Sequence, residues 1–118
     1  MQKKRIDQVN QLVKEEVSKL ILREIELSKD AMITVTRVET SSDLRHSTIY
    51  ISTLFKDKQE AALHELNRSI YDIQHAFNRA LRMRPVPKIR FEIDKAYEIE
   101  QKLYETLAEE EKSDQKER

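Results

Sequence analysis

The apolar residues of this chain switch repeatedly between helical and strand spacing, and that order constrains the fold more than any other feature. Over residues 4–27, Ile6, Val9, Val13, Val17, Leu20 and Ile21 recur every three or four positions with Glu and Lys between them. This is the pattern of an amphipathic helix with one face turned to a core. Residues 28–30, Ser-Lys-Asp, are turn-prone. Residues 32–38 are dense in β-branched side chains, and residues 47–52 alternate apolar with polar, so both segments read as strands. Thr40, Ser41, Ser42 and Asp43 between them supply side chains that bond nearby backbone, so the strands are expected to pair as an antiparallel hairpin.

Helical spacing then returns over residues 57–84, where Leu63, Leu66, Ile70, Ile73, Phe77 and Leu81 form one stripe. Arg68, Asp72, His75, Arg79 and Arg82 occupy the opposite side. Pro85 and Pro87 end the pattern, because proline lacks the backbone donor and disfavours helical geometry before it. Residues 88–94 alternate again, with Ile89, Phe91 and Ile93 on one face and Lys88, Arg90 and Glu92 on the other. Asp94 is placed to cap a last helix in which Ala96, Ile99, Leu103 and Leu107 keep helical spacing. Residues 109–118 are charged and lack large apolar side chains, so a disordered tail is expected there, following one domain over residues 1–108. The expected architecture is α+β, with helices burying their stripes on one face of a three-stranded sheet.

Composition narrows the function. With no cysteine among 118 residues, disulfides, zinc knuckles, iron–sulfur clusters and thiol catalysis are excluded. With no glycine, so are Gly-rich phosphate loops, the dinucleotide fingerprint and the nucleophile elbow. His46, His64 and His75 are scattered, and His64 and His75 would stand about 16 Å apart along one helix, too far for a shared metal. Neighbouring carboxylates such as Glu15 and Glu16 point apart on a helix, and Ser69 has no identifiable base, so neither makes a catalytic group. No apolar run approaches the roughly 20 residues of a membrane span, and none follows the basic N-terminus, so a cytoplasmic chain is expected.

Formal net charge is zero, but its distribution is uneven. Residues 1–90 hold 17 Lys and Arg against 12 Asp and Glu, whereas residues 91–118 hold 5 against 10. Between Arg68 and Arg90, six bases face Asp72 alone. A basic face on a body with an acidic appendage fits this layout, and so does an ordinary solvated surface.

Several stretches, taken together and in order, resemble the ribosome-binding factor A family. They are Arg5-Ile6-Asp7-Gln8-Val9 with residues 15–21, Glu-Glu-Val-Ser-Lys-Leu-Ile; then residues 33–39 running into Ser42-Asp43-Leu44-Arg45. Next comes Ser47, standing where a small packing residue is wanted, with Thr48-Ile49-Tyr50-Ile51-Ser52. The last runs from Leu66-Asn67-Arg68 through Arg79-Ala80-Leu81-Arg82-Met83-Arg84 to Pro87 and residues 88–94. The resemblance covers roughly residues 3–107. It implies a KH-like fold of type II, ordered αββααβ with a C-terminal helix, in which two helices replace the single pattern over 57–84. In the family an Ala-x-Gly motif makes the break between those helices; here that position is held by Ser69, Ile70 and Tyr71, with both small residues replaced. A straighter helix, or a stacking role for Tyr71, becomes conceivable at this point, beside a plain packing role.

The resemblance further implies binding to the immature small (30S) ribosomal subunit late in its assembly, with contacts to its RNA near the decoding end. It also implies help with 5′-end processing of the 16S RNA and a link to growth in the cold, without catalysis, cofactor or small-molecule substrate. A monomer is expected. The candidate RNA-binding residues are Arg68, His75, Arg79, Arg82, Arg84, Lys88 and Arg90, joined by Arg45 and by Lys3, Lys4 and Arg5. Cations in such a set would neutralise RNA phosphates and release counterions. The rival readings are a protein–protein adaptor that docks a partner on its sheet face or on the long amphipathic helix, and a regulatory α/β domain that binds a small ligand.

Overall fold

The structure, a computed structural model, describes residues 2–25 and 31–116, with side chains described over 4–25 and 31–111. Its elements are α1 (Gln2–Glu24), β1 (Thr34–Thr40), β2 (His46–Ser52), α2 (Gln59–Arg68), α3 (Ile70–Ala80), β3 (Lys88–Ile93) and α4 (Lys95–Lys116). A short 3-10 turn, Lys56–Lys58, leads into α2. The turn expected over residues 28–30 lies outside the described residues.

The sheet has the order β1-β2-β3, antiparallel between β1 and β2 and parallel between β2 and β3. A parallel pair needs a long crossover, and α2 with α3 supplies it. Val35 and Val38 are both buried although three residues apart, which a regular strand cannot allow. A bulge between Val35 and Arg37 resolves this by inserting Thr36, so that Val35 faces Ile51 and Val38 faces Ile49 across the pair. The inner face formed by Val35, Val38, Ile49, Ile51, Ile89 and Phe91 packs against Val13, Val17, Leu20, Ile21, Leu66, Ile73 and Phe77. Ser47 is buried among them, its hydroxyl 2.8 Å from that of Thr40, so a small polar residue is accommodated without an orphan group.

Two expectations are corrected. The pattern over 57–84 is two helices rather than one, and helical geometry stops at Ala80 rather than Arg84. Leu81 is extended (φ −88°, ψ 132°) and turned into the core, leaving Arg82 and Arg84 on a loop. The stripe of the last helix is also not buried: Ile99 is 70% exposed, Leu103 59% and Leu107 47%. Asp94 does cap α4, its Oδ1 accepting the Tyr97 N–H at 3.0 Å, and the helix then leaves the body. It continues through Lys116, past residue 108 where the tail was expected to begin. Glu, Lys, Gln and Ala favour the helix over this stretch. A radius of gyration of 17.1 Å reflects the projection, since a compact chain of this length has roughly 13–14 Å.

Candidate nucleic-acid interface

The break between α2 and α3 falls on Ser69, with φ −96° and ψ 6°. This is the bridge region, open to any L-residue, so the kink forms without glycine. Backbone bonding carries across it: the Ser69 N–H donates to the Glu65 carbonyl and the Ser69 carbonyl accepts from Ile73, both at 3.0 Å. Ile70 is partly buried against the core, which ties the start of α3 down. Tyr71 is 80% exposed, so its ring is not a packing residue.

The middle of α3 is fastened to the start of β3 by Gln74. Its side-chain amide donates to the Pro87 carbonyl at 3.1 Å and accepts from the Ile89 N–H at 2.8 Å, as a strand neighbour would. The Lys88 N–H donates to the Arg45 carbonyl at 2.8 Å, and His46 pairs with Lys88 in the sheet. These bonds bring the hairpin loop, the start of β3 and the middle of α3 together. Arg45, His75, Arg79, Arg82 and Lys88 are all exposed there or along the adjoining helix. The hairpin loop holds its shape through Ser41 and Asp43. The Asp43 carboxylate accepts from the Ser41 hydroxyl at 2.6 Å and the Arg45 N–H at 3.1 Å, and these bonds hold its pKa below the usual value. Leu44 completes the turn with φ 61°, a left-handed conformation that glycine would otherwise serve.

Lys4 and Arg5 are exposed on the first turn of α1. The Ser18–Leu22 region of that helix lies beside Ile33, Thr34 and Val35 at the start of β1, and its first turn stands roughly 20 Å or more away along the helix. The side chain of Lys3 lies outside the described residues. Not all candidates join the cluster. Arg68 sits before the break, and Tyr71 is about 12 Å from Arg79 along α3. Arg84 is exposed but its guanidinium folds back, donating to the Leu81 carbonyl at 3.0 Å and the Met83 carbonyl at 2.8 Å. Arg90 lies on the outer sheet face, donating to the Thr48 hydroxyl at 3.0 Å and pairing with Glu92 at 3.1 Å.

The outer face also holds a group that sequence reading missed. Arg37 stacks over the Tyr50 ring at 3.7 Å, pairs with Glu39 and donates to Asp94 at 3.2 Å. Burial lowers its basicity, but these two carboxylates outweigh that and raise its pKa. Burial and the hydrogen bond to Glu39 raise that of Tyr50. The three-residue gap between Val35 and Val38 was the available signal, since only a bulge puts Arg37 opposite Tyr50. With its charge already matched, Arg37 is less suited to phosphate than the cations at the hairpin end. Among the described residues no group of three or more His, Asp or Glu is arranged to hold a metal ion. None of the described helices is long and apolar enough to cross a membrane.

The family model described as ribosome-binding factor A matches residues 5–107. A ribosome-binding factor A of Geobacter metallireducens is 34% identical over 107 residues, spanning 90% of this chain and 91% of its own. That of Halothermothrix orenii is 31% identical and spans 99% of both chains. Among solved structures, the solution structure of a putative ribosome binding factor A from Thermotoga maritima superposes with a TM-score of 0.65 at 29% identity. It covers 77% of this chain and 88% of that one. A homology model of the Thermus thermophilus factor, fitted into a cryo-electron microscopy map of its 30S complex, gives a TM-score of 0.60 at 24% identity. It covers 72% of this chain and 90% of that one.

Proposed function

Because the chain belongs to the ribosome-binding factor A family, we propose that it binds the small ribosomal subunit through the basic hairpin end and assists late maturation, including 5′-end processing of 16S RNA. The observation that carries this reading is the backbone bond joining Lys88 to Arg45, with Gln74 tying the start of β3 to α3, the helix that carries His75 and Arg79 and runs on to Arg82. Lys4 and Arg5 extend the same surface. The 30S complex of the Thermus thermophilus factor supports the choice of partner.

A rigid cationic end suits structured RNA, which is engaged through its shape and phosphates more than its base edges. Each phosphate neutralised releases a counterion, so binding weakens steeply with salt. Tyr71, exposed beside the helix break, is positioned to stack on an unpaired base at the margin of this surface. The protein works as a cytoplasmic monomer without catalysis or cofactor, in a step that matters most in the cold, where misfolded RNA rearranges slowly.

Cosedimentation with immature small subunits, mature small subunits and large subunits across a salt series tests the reading. Selective, salt-sensitive pelleting with small subunits, stronger for immature ones, is the expected outcome. A folded protein that pellets with none of them at low salt would overturn it.

A further inference from the structure

The groups outside the basic end concentrate on α4. Its described side chains carry an apolar stripe of Ile99, Leu103 and Leu107, flanked by Tyr104, and each of these is between 47% and 70% exposed. At the foot of the helix a groove of about 550 Å³ opens between Tyr97 and Gln101 on α4 and Met32 and Leu54 on the body. Leu54, 68% exposed, and Met32, 52%, line that groove on one side of α4, while Ile99, Leu103 and Leu107 form a separate apolar strip on its other side. Contiguous apolar surface of this kind on a soluble chain marks an interaction site. A lone helix is marginal in water, so a stripe maintained over about two turns calls for a cover.

Charge selects the cover. Lys95 and Lys102 are the only bases between residues 95 and 111, against Glu98, Glu100, Glu105, Glu109, Glu110 and Glu111. This acidic frame repels RNA phosphates and anionic lipid. It also disfavours a second copy, which would set one acidic helix against another. A cationic amphipathic helix satisfies both features, laying its apolar face on the stripe while its bases meet the glutamates. The ion pair of Lys56 with Glu98, 3.6 Å long, already shows one such pairing at the edge of the groove.

We infer that the exposed apolar stripe of α4 forms a docking surface for a basic amphipathic helix of a protein partner. The inference does not depend on the RNA-binding reading, since it concerns the opposite charge on a separate element. Two functional surfaces then share one body, a cationic end for RNA and an acidic, apolar arm for protein.

The test uses the full chain and a synthetic peptide of about 18 residues, lysine and leucine arranged at helical spacing, about 27 Å long when helical. A scrambled isomer of the same composition is the control. Titration followed by nuclear magnetic resonance is expected to shift Ile99, Leu103, Tyr104 and Leu107, with the ordered peptide at least about tenfold tighter than the scrambled one. Leu103→Ser with Leu107→Ser, both exposed and compatible with the fold by circular dichroism, is expected to remove that preference. Charge reversal at Arg79 and Arg82 is expected to leave it intact. Equal binding of the two isomers, shifts confined to other faces, or a concentration-dependent dimer abolished by the same serine variant would each overturn the proposal.

Discussion

Asp94 connects the sheet to α4, and its environment makes a specific stability prediction. Only 3% exposed, it accepts hydrogen bonds from the Thr36 hydroxyl at 2.5 Å, the Tyr97 N–H at 3.0 Å and the Arg37 guanidinium at 3.2 Å. Burial pushes its pKa up, but these bonds and the charge of Arg37 outweigh it and hold the carboxyl below its ordinary value of 3.8. Its stabilising contribution is therefore complete at neutral pH. It declines once pH falls below that ordinary value and is lost as pH drops through the lower folded value. Asp94→Asn is expected to cost about 2 kcal/mol at neutral pH and to make the acid limb of the stability curve shallower, as urea midpoints at stepped pH would read. A second residue carries strain instead of relieving it. Met32 is 52% exposed with φ 53°, a conformation costing about 1–2 kcal/mol for a side chain with a Cβ. Met32→Gly is expected to raise the urea midpoint, by about 1 kcal/mol in stability. That a chain without glycine accepts left-handed residues at Met32 and Leu44 could not be read from composition, since neither residue type signals it.

Element boundaries show where periodicity informs and where it misleads. The three strands and α1 were evident because their apolar spacing matches a single buried face. The break at Ser69 was hidden because Leu66, Ile70 and Ile73 keep helical spacing straight through it, and only the family resemblance implied two helices. The structure explains the tolerance: Ser69 at φ −96° needs no special residue, and its N–H and carbonyl both remain bonded. Ser69→Gly is accordingly expected to change stability by less than about 1 kcal/mol. Ser69→Pro removes the bond to Glu65 and is expected to cost about 3 kcal/mol, measured by the same denaturant midpoints. The α3 stripe is committed to the core, with Ile73 and Phe77 fully buried, so Phe77→Ala is expected to cost about 4 kcal/mol. The stripe on α4 has the same sequence signature and the opposite fate. Spacing reveals that a face is apolar, but not whether the partner lies in the same chain.

Across the whole molecule, the zero net charge conceals a dipolar layout with a cationic hairpin end and an acidic arm. The candidate cations were visible in sequence, but their neighbourhood was not. Arg45 and Lys88 are joined by a backbone hydrogen bond where the β2–β3 pair begins, whereas Arg84 turns back on the Leu81 and Met83 carbonyls and Arg90 on Glu92. Pairwise charge counts along the chain could not separate these fates. The measurement that bears most directly on the proposed binding surface compares two double reversals with equal charge change. Arg79→Glu with Arg82→Glu lies on the basic end, and Lys19→Glu with Arg23→Glu lies on exposed positions of α1 toward its other end. Affinity for purified immature small subunits is measured for both across a salt series. The account predicts at least about a tenfold loss for the first pair, with the salt slope reduced by about two, and little change for the second. Wild-type affinity and slope for the first pair, or equal losses for both, would contradict it.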